Sequence, residues 1–329
     1  MIPAIKLDKP IFSLGLMSGT SIDGIDLAII LTDGKSIFDL CSAKTFQYSI
    51  NLRLQIRQLV QKNLNYDLLT SELKILERNL TQAHAEAVKD FFDENRSLQE
   101  LVKVIGFHGQ TINHNPSEGI SLQIGDGALL AALTGIPVVN DFRSADIKAG
   151  GQGAPLVPIY HLALSESELY KVKFPAAILN LGGVANLTWI GRDRDLIAFD
   201  TGPGCALIDD WILDRTGKHL DENGNIARKG LVNKPILFSL LDDAYLKKPP
   251  PKSLDRNHFD ISAVNVLSTE DAAATLVAFT AECVAQGINL LPQTAPQIVV
   301  CGGGRHNSTL LEEIRFRTKS KVLRSEEVG

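Results

Sequence analysis

Two segments of this 329-residue chain repeat one pattern: an apolar run, a glycine turn, then a second apolar run. The first is LGLMSGTSIDGIDLAII (14–30) and the second is AILNLGGVANLTWI (177–190), one near the start of each half. Runs of this kind joined by short Gly/Asp/Ser turns read as β-hairpins. Each is followed by alternating strand and helix signals, the mark of an α/β architecture. The repeat points to a duplicated α/β unit with a cleft between the halves, divided as 1–148 and 149–329. Glycine turns are common in any α/β protein, so the repeat alone also fits a single unit with several such turns.

The rest of the pattern fits. Leu73, Leu76, Leu80, Ala83 and Ala87 recur at helical spacing within a helical region from Leu52 to Arg96. VKVIGFHG and IPVVNDF read as strands, with GALLAALTG as a helix between them. In the second half LIAFDTGPG reads as a strand, ALIDDWILDRTG as a helix closed by Gly217, and KKPPPKS as an extended loop. EDAAATLVAFTAECVAQGINLL, QIVVCGGG and HNSTLLEEIRFRT then read as helix, strand and helix.

With 44% hydrophobic residues the chain can bury a sizeable core. Its 33 basic and 38 acidic side chains give a net charge of −5 without a basic stripe, which argues against nucleic acid and anionic membranes as partners. No charged leader precedes a long apolar run at the N-terminus, and no stretch approaches the roughly 20 apolar residues of a membrane span. Cys41, Cys205, Cys283 and Cys301 lack CxxC spacing, so neither a disulfide framework nor a zinc site is expected, and a cytoplasmic location is.

Three glycine turns follow apolar strands: Ser18–Gly24, Asn180–Asn186 with Gly182 and Gly183, and Cys301–Asn307 with Gly302, Gly303 and Gly304. A backbone cradles phosphate oxygens where no side chain blocks approach and N–H groups converge. The ends of strands in α/β sheets are where ligands bind. The third turn also opens a helix, whose amino end favours anions. Each turn alone has an equally good structural reading. A Walker loop is excluded because Ile29 and Ile30, not glycine, stand six and five residues before Lys35, and no GxGxxG follows a strand.

Asp200, at the end of an apolar strand and before Gly-Pro-Gly, is placed either to act as a general base or to cap the next turn. Asp23 and Asp26 could hold Mg²⁺ through water or simply favour the turn. His108, Gln110 and His114 sit at a strand-to-loop transition, and VNDFRSADIKAGGQGAP carries Asp141, Arg143 and Asp146. These mixed donors and acceptors suit a sugar, although Arg143 and Asp146 could equally shape their loop. His84 reads as surface or packing. A zinc pair of His108 and His114 lacks the expected helix.

The segments GLMSGTSIDGIDLAI, GFHGQTINHNP, LQIGDGALLAALTGIPVVNDFRSADIKAGGQGAPLVP, LNLGGVANLT, FDTGPGCALIDDWI and VCGGGRHN occur in this order. Together they resemble the anhydro-N-acetylmuramic acid kinase family over nearly the whole chain. The resemblance implies two similar domains of the actin-like ATPase (ribonuclease H-like) type, as in hexokinase and Hsp70. It implies ATP and Mg²⁺ as cofactors and 1,6-anhydro-N-acetylmuramate as the sugar. ATP would bind at the segment Gly19, Thr20, Ser21, Ile22, Asp23, Gly24, Ile25 and Asp26, with the metal at Asp23. Asp200 would be the general base, and His108, Gln110, Asp141 and Arg143 are candidate sugar contacts. A homodimer is also compatible.

Some positions depart from the pattern. Cys205 stands where the family usually has asparagine, and KSLDRNHF departs from KSTGRE at Leu254, Asp255 and Asn257. Family members continue beyond SEEVG with another helix bearing an acidic residue. A shortened C-terminus with reduced or absent activity is therefore expected. The alternatives are a nucleotide-binding relic and a kinase for another sugar.

Overall fold

A computed structural model describes residues 9–19, 22, 24–61, 71–115 and 118–329. Thr20, Ser21 and Asp23 of the expected site lie outside the described residues. The chain divides into two units, Met1–Leu156 and Val157–Gly329, a division eight residues later than the expected one after residue 148.

In the first unit, β1 (Ile11–Ser18), β2 (Gly24–Thr32) and β3 (Ile37–Gln47) form an antiparallel meander. Alternation sets the faces: Ile25, Leu27 and Ile29 of β2 are buried while Asp26 and Ala28 are exposed. The chain continues through α1 (Ile50–Gln61), α2 (Ser71–Glu94) and α3 (Arg96–Gln99). It then enters β4 (Val102–Asn115), which runs parallel to β1. The stripe of α2 expected from spacing is the buried one: Leu73, Leu76, Leu80 and Ala87 join the core, and His84 packs among them. β5 (Ile120–Ile124) folds back along the end of β4. α4 (Gly127–Thr134), β6 (Val138–Val139, parallel to β4) and α5 (Phe142–Lys148) complete the unit.

In the second unit, α6 (Pro158–Glu166) precedes a meander of β7 (Ala176–Leu181), β8 (Val184–Ile190) and β9 (Leu196–Pro203). Three helices follow: α7 (Ala206–Thr216), α8 (Lys234–Leu241) and α9 (Thr269–Asn289). Then come β10 (Gln297–Cys301), α10 (Ser308–Thr318) and β11 (Lys321–Arg324). Both β10 and β11 are parallel to β7.

The two sheets have one topology. The second runs β11-β10-β7-β8-β9, and the first runs β6-β4-β1-β2-β3 with β5 added beside β4. The sequence repeat is therefore a repeated fold, and the α/β class with two similar units stands.

Helix α9 backs the second sheet and is buried along most of its length, with alanines at 272, 273, 274, 278, 281 and 285. Small residues let it approach β9 closely. A Cβ on Gly287 would lie 2.7 Å from Thr201 Cγ2, and one on Gly202 would lie 2.6 Å from Cys283 Cβ. Among the described residues no helix is long and apolar enough to cross a membrane.

Among the elements not read from the sequence are β5, α5, α6, α8 and β11. The segment IPVVNDF contributes only two strand residues before α5 begins, because Asp141 adopts a left-handed conformation (φ 55°) that breaks the strand. His108, Gln110 and His114 lie within β4 itself, which runs on to Asn115 because β5 pairs with its far end.

Candidate active site

Strand register in the second unit lines up Asp200 with Asn186, Asn186 with Asn180, and Asn180 with Cys301. Residues paired across a sheet point to the same face, so these four side chains form one polar row across β9, β8, β7 and β10. At about 4.8 Å per strand the row spans roughly 14 Å. It lies where the strands give way to glycine turns: Gly182–Gly183 after β7, Gly204 after β9 and Gly302–Gly304 after β10.

Asp200 is held by its surroundings. Between β8 and β9 the pairing shifts, Ala185 opposite Gly202 and Asn186 opposite Asp200, which leaves Thr201 as a bulge. Bulges of this kind re-aim neighbouring side chains. The Asp200 N–H donates to Lys252 O at 3.0 Å, and its carbonyl accepts from Tyr245 Oη at 2.7 Å. Its carboxylate Oδ2 accepts the Leu254 N–H at 2.8 Å. Because both backbone groups turn away from β8, Asp200 and Asn186 form a pair in which side chains come nearest. Burial pushes the Tyr245 hydroxyl well up, and the Asp200 charge adds to this, so it remains a donor.

The glycine turns of this unit pack on one another. Gly182 O accepts the Cys205 N–H at 2.7 Å, and Gly183 O accepts the Gly204 N–H at 2.9 Å. A Cβ on Gly204 would lie 2.2 Å from Gly182 O, so only glycine fits there. Gly302 (φ 76°) and Gly304 press against Leu181, whereas a Cβ on Gly303 would meet nothing within 4 Å. Gly303 thus leaves its backbone open to an approaching group. Contrary to the expectation from sequence, the third turn does not itself open the helix. A short 3₁₀ turn, Gly303–His306, intervenes, and the Asn307 side chain caps α10 by accepting the Leu310 N–H at 3.0 Å.

Cys205, the departure from asparagine, is wedged beside Gly304, and burial pushes its thiol up to about 12. It therefore packs as a small neutral group. Asn186 carries a buried Oδ1 with no hydrogen-bond partner among the described residues. A buried acceptor left in that state costs about 1–3 kcal/mol and calls for a donor.

In the first unit, the turn after β1 is closed by the Ile22 N–H donating to Gly19 O at 3.2 Å, with Ile22 buried at φ 55°. Ile22 and Ile25 are core residues, so any part they have in a nucleotide site is through backbone. A Cβ on Gly24 would lie 2.4 Å from Phe46 O, which accounts for glycine there by packing alone. Asp26 is exposed and accepts from Thr45 Oγ1 at 2.5 Å.

Gln110 is buried, with Oε1 accepting from Ser18 Oγ and Nε2 donating to Gly19 O at 3.2 Å. Tyr48 Oη donates to the same Ser18 at 2.8 Å. Gln110 thus braces the turn.

His108 and Arg143 meet, with the guanidinium 3.0 Å from His108 Nε2. His108 Nδ1 faces Gly109 O at 2.8 Å and must donate to it, so Nε2 is the acceptor and the ring is neutral. Burial, and then the Arg143 charge, lower its pKa accordingly. Arg143 and Asp146 both tie to Gly153, through its O at 3.1 Å and its N–H at 2.7 Å, and so shape that loop. Asp141 is exposed and accepts from Ser144. His114 is lowered to about 4, first by burial and then by Arg143. Among the described residues no group of three or more His, Cys, Asp or Glu side chains could hold a metal ion.

Sequence reasoning singled out Asp200 and the glycine turns but not Tyr245 or Lys252, which reach Asp200 from a loop about fifty residues later. Only the sequence KKPPPKS, an extended stretch ending in Lys252, hinted at that loop.

The model of the family "Anhydro-N-acetylmuramic acid kinase" matches residues 11–329. The chain belongs to that family. Anhydro-N-acetylmuramic acid kinase from Rhizorhabdus wittichii is 48% identical over 93% of this chain and 84% of its own length. The kinase of the same name from Zymomonas mobilis is 46% identical over 94% of the chain and 86% of its own length. That from Rhodospirillum rubrum is 47% identical over 93% and 80%. The family match spans residues 11–329, and the alignments cover 80–86% of these relatives' own length.

Proposed function

We propose that this kinase opens 1,6-anhydro-N-acetylmuramate with water and transfers the γ-phosphoryl group of ATP to O6, giving N-acetylmuramate 6-phosphate for peptidoglycan recycling. The observation that carries the reading is Asp200: an acid held at a bulge, on a polar row that ends at glycine turns, in a chain of this family. ATP as phosphoryl donor supports a cytoplasmic location.

In this reading Asp200 takes a proton from water as the water oxygen bonds to C1. The C1–O6 bond breaks, and O6 then attacks the γ-phosphorus in line, releasing ADP. The Leu254 N–H fixes one carboxylate oxygen. Charge-assisted hydrogen bonds of this type are short and directional. Catalysis of such transfers rests chiefly on positioning and charge stabilisation.

Gly303, with open space over its Cα, and the turn at Gly19 are the proposed backbone contacts to ATP, together with Gly182, Gly183, Gly302 and Gly304. Asn186, through its buried acceptor, is a further one. His108 and Arg143 are the proposed sugar contacts, with Asp141 nearby in sequence. Gln110 acts through the turn that it braces. Mg²⁺ keeps much of its water and is held mainly by nucleotide phosphates. Asp26, exposed, and Asp23 would hold it through water. The ion would neutralise developing phosphate charge.

Turnover of the anhydro-sugar with ATP in ¹⁸O-water tests the reading. Label at C1 of a 6-phosphorylated product is expected. Asp200→Asn should lower turnover by about 10²–10⁴-fold. Unlabelled product, or an Asn variant as active as the parent, overturns it.

A further inference from the structure

The loop that reaches Asp200 is itself locked by a buried cation. Residues 242–261 contain no helix or strand apart from short turns and carry three consecutive prolines, Pro249–Pro251. Yet this strap makes three hydrogen bonds to one residue, through Tyr245 Oη, Lys252 O and the Leu254 N–H. β9 is at the edge of its sheet, so the outward N–H and C=O of Asp200 have no strand partner, and the strap supplies one.

Lys252 closes the strap on itself. Its side chain is only 7% exposed, and Nζ donates to Tyr245 O and Leu246 O, each at 3.2 Å. The ammonium also lies 4.7 Å from the Tyr245 ring centroid and 5.8 Å from that of Phe199. Lysine is rarely buried to this degree without a partner that repays its desolvation. Here two carbonyls and two aromatic faces do so, and they belong to the segment before the prolines and to β9.

The charged and titratable groups facing Lys252 are Asp200 from β9, Cys283 from α9, and Tyr245 and Lys248 within the strap. Burial pushes the Cys283 thiol well up, so it stays neutral, which leaves Asp200 as the anion in this set. The departure at Leu254 leaves the arrangement intact, because its contribution is a backbone N–H.

We propose that the Tyr245–Leu254 strap, locked by Lys252, is the positioning device for Asp200. The inference rests on Asp200 being the base. Lys252 touches no reacting atom. It fixes the turn that presents the Leu254 N–H to the carboxylate. Loosening that turn weakens this bond, so the carboxylate holds its proton more firmly and the acid limb of the rate profile moves to higher pH.

The test is the pH profile of kcat for Lys252→Met, Lys252→Arg and Tyr245→Phe, with Asp200→Asn as a control and ATP-induced thermal shift as a check on folding. Lys252→Met should lower kcat by about 10- to 100-fold. Its acid limb should rise by about one pH unit, while KM for ATP stays within about twofold. Lys252→Arg should restore most of the limb's position. Tyr245→Phe, which loses only the bond to the Asp200 carbonyl, should lower kcat several-fold without moving the limb. A Lys252→Met enzyme with the parental kcat and acid limb overturns the inference, provided Asp200→Asn is inactive. If Asp200→Asn is active, the reading of the base fails first. If Lys252→Met does not fold, parental kcat in Tyr245→Phe overturns the strap's role.

Discussion

At the scale of single residues, burial fixes protonation states that have measurable consequences. His84, fully buried, donates from Nδ1 to Leu80 O and is lowered to about 4 by burial. His161, paired with Thr188 Oγ1, is likewise lowered to about 4. Both are neutral in the folded kinase, whereas an unfolded histidine takes up a proton near 6.5. Stability from these residues is therefore complete above pH 6.5 and is lost as pH falls toward 4, because the unfolded chain then binds more protons. The urea midpoint should drop between pH 7 and pH 5, and His161→Gln should make that drop shallower. An unchanged slope in the variant would show that the buried imidazole is not responsible. His84 also shows what one sequence position can convey: spacing placed it on α2, but only the packing of Tyr48 and Phe107 against its ring places it inside.

At the scale of elements, the glycine turns separate two reasons for the same residue. Gly204 faces Gly182 O, a backbone atom that cannot move aside, so Gly204→Ala should cost about 1–3 kcal/mol or more in chemical denaturation. Gly303 faces open space, so Gly303→Ala should stay within about 0.5 kcal/mol of the parent. It should nonetheless weaken ATP binding measured by calorimetry; equal affinity would remove that turn from the nucleotide site. Sequence identified both turns because strand-glycine patterns are local. The same locality explains what it missed. β5 and β11 are short, and their pairing with β4 and β10 is decided by tertiary contact. The strap is invisible in sequence because a proline run has no periodicity, and its bonds to Asp200 join residues 45 to 54 positions apart. The departure at Leu254 looked damaging when only side chains could be compared. It is neutral toward Asp200 once the N–H is seen to make the bond.

At the scale of the whole molecule, each unit owns a separate apolar core. One is built around Leu14, Leu80, Phe91 and Ile105, the other around Leu187, Phe199, Phe279 and Val300. Leu80→Ala should cost about 2–5 kcal/mol within the first unit. Hydrogen exchange should then speed up in α2 and β4 while the amides of α9 keep their protection, and uniform acceleration across both units would contradict the assignment of cores. The strap has one more consequence, unrelated to catalysis. An uncovered edge strand is a template on which another chain can add a strand and start aggregation. By engaging the outward N–H and C=O of Asp200, the proline-rich segment blunts the rim of the second sheet. Loosening it would make the enzyme sticky as well as slow, so the same lysine that locks the strap also helps to keep the protein in solution.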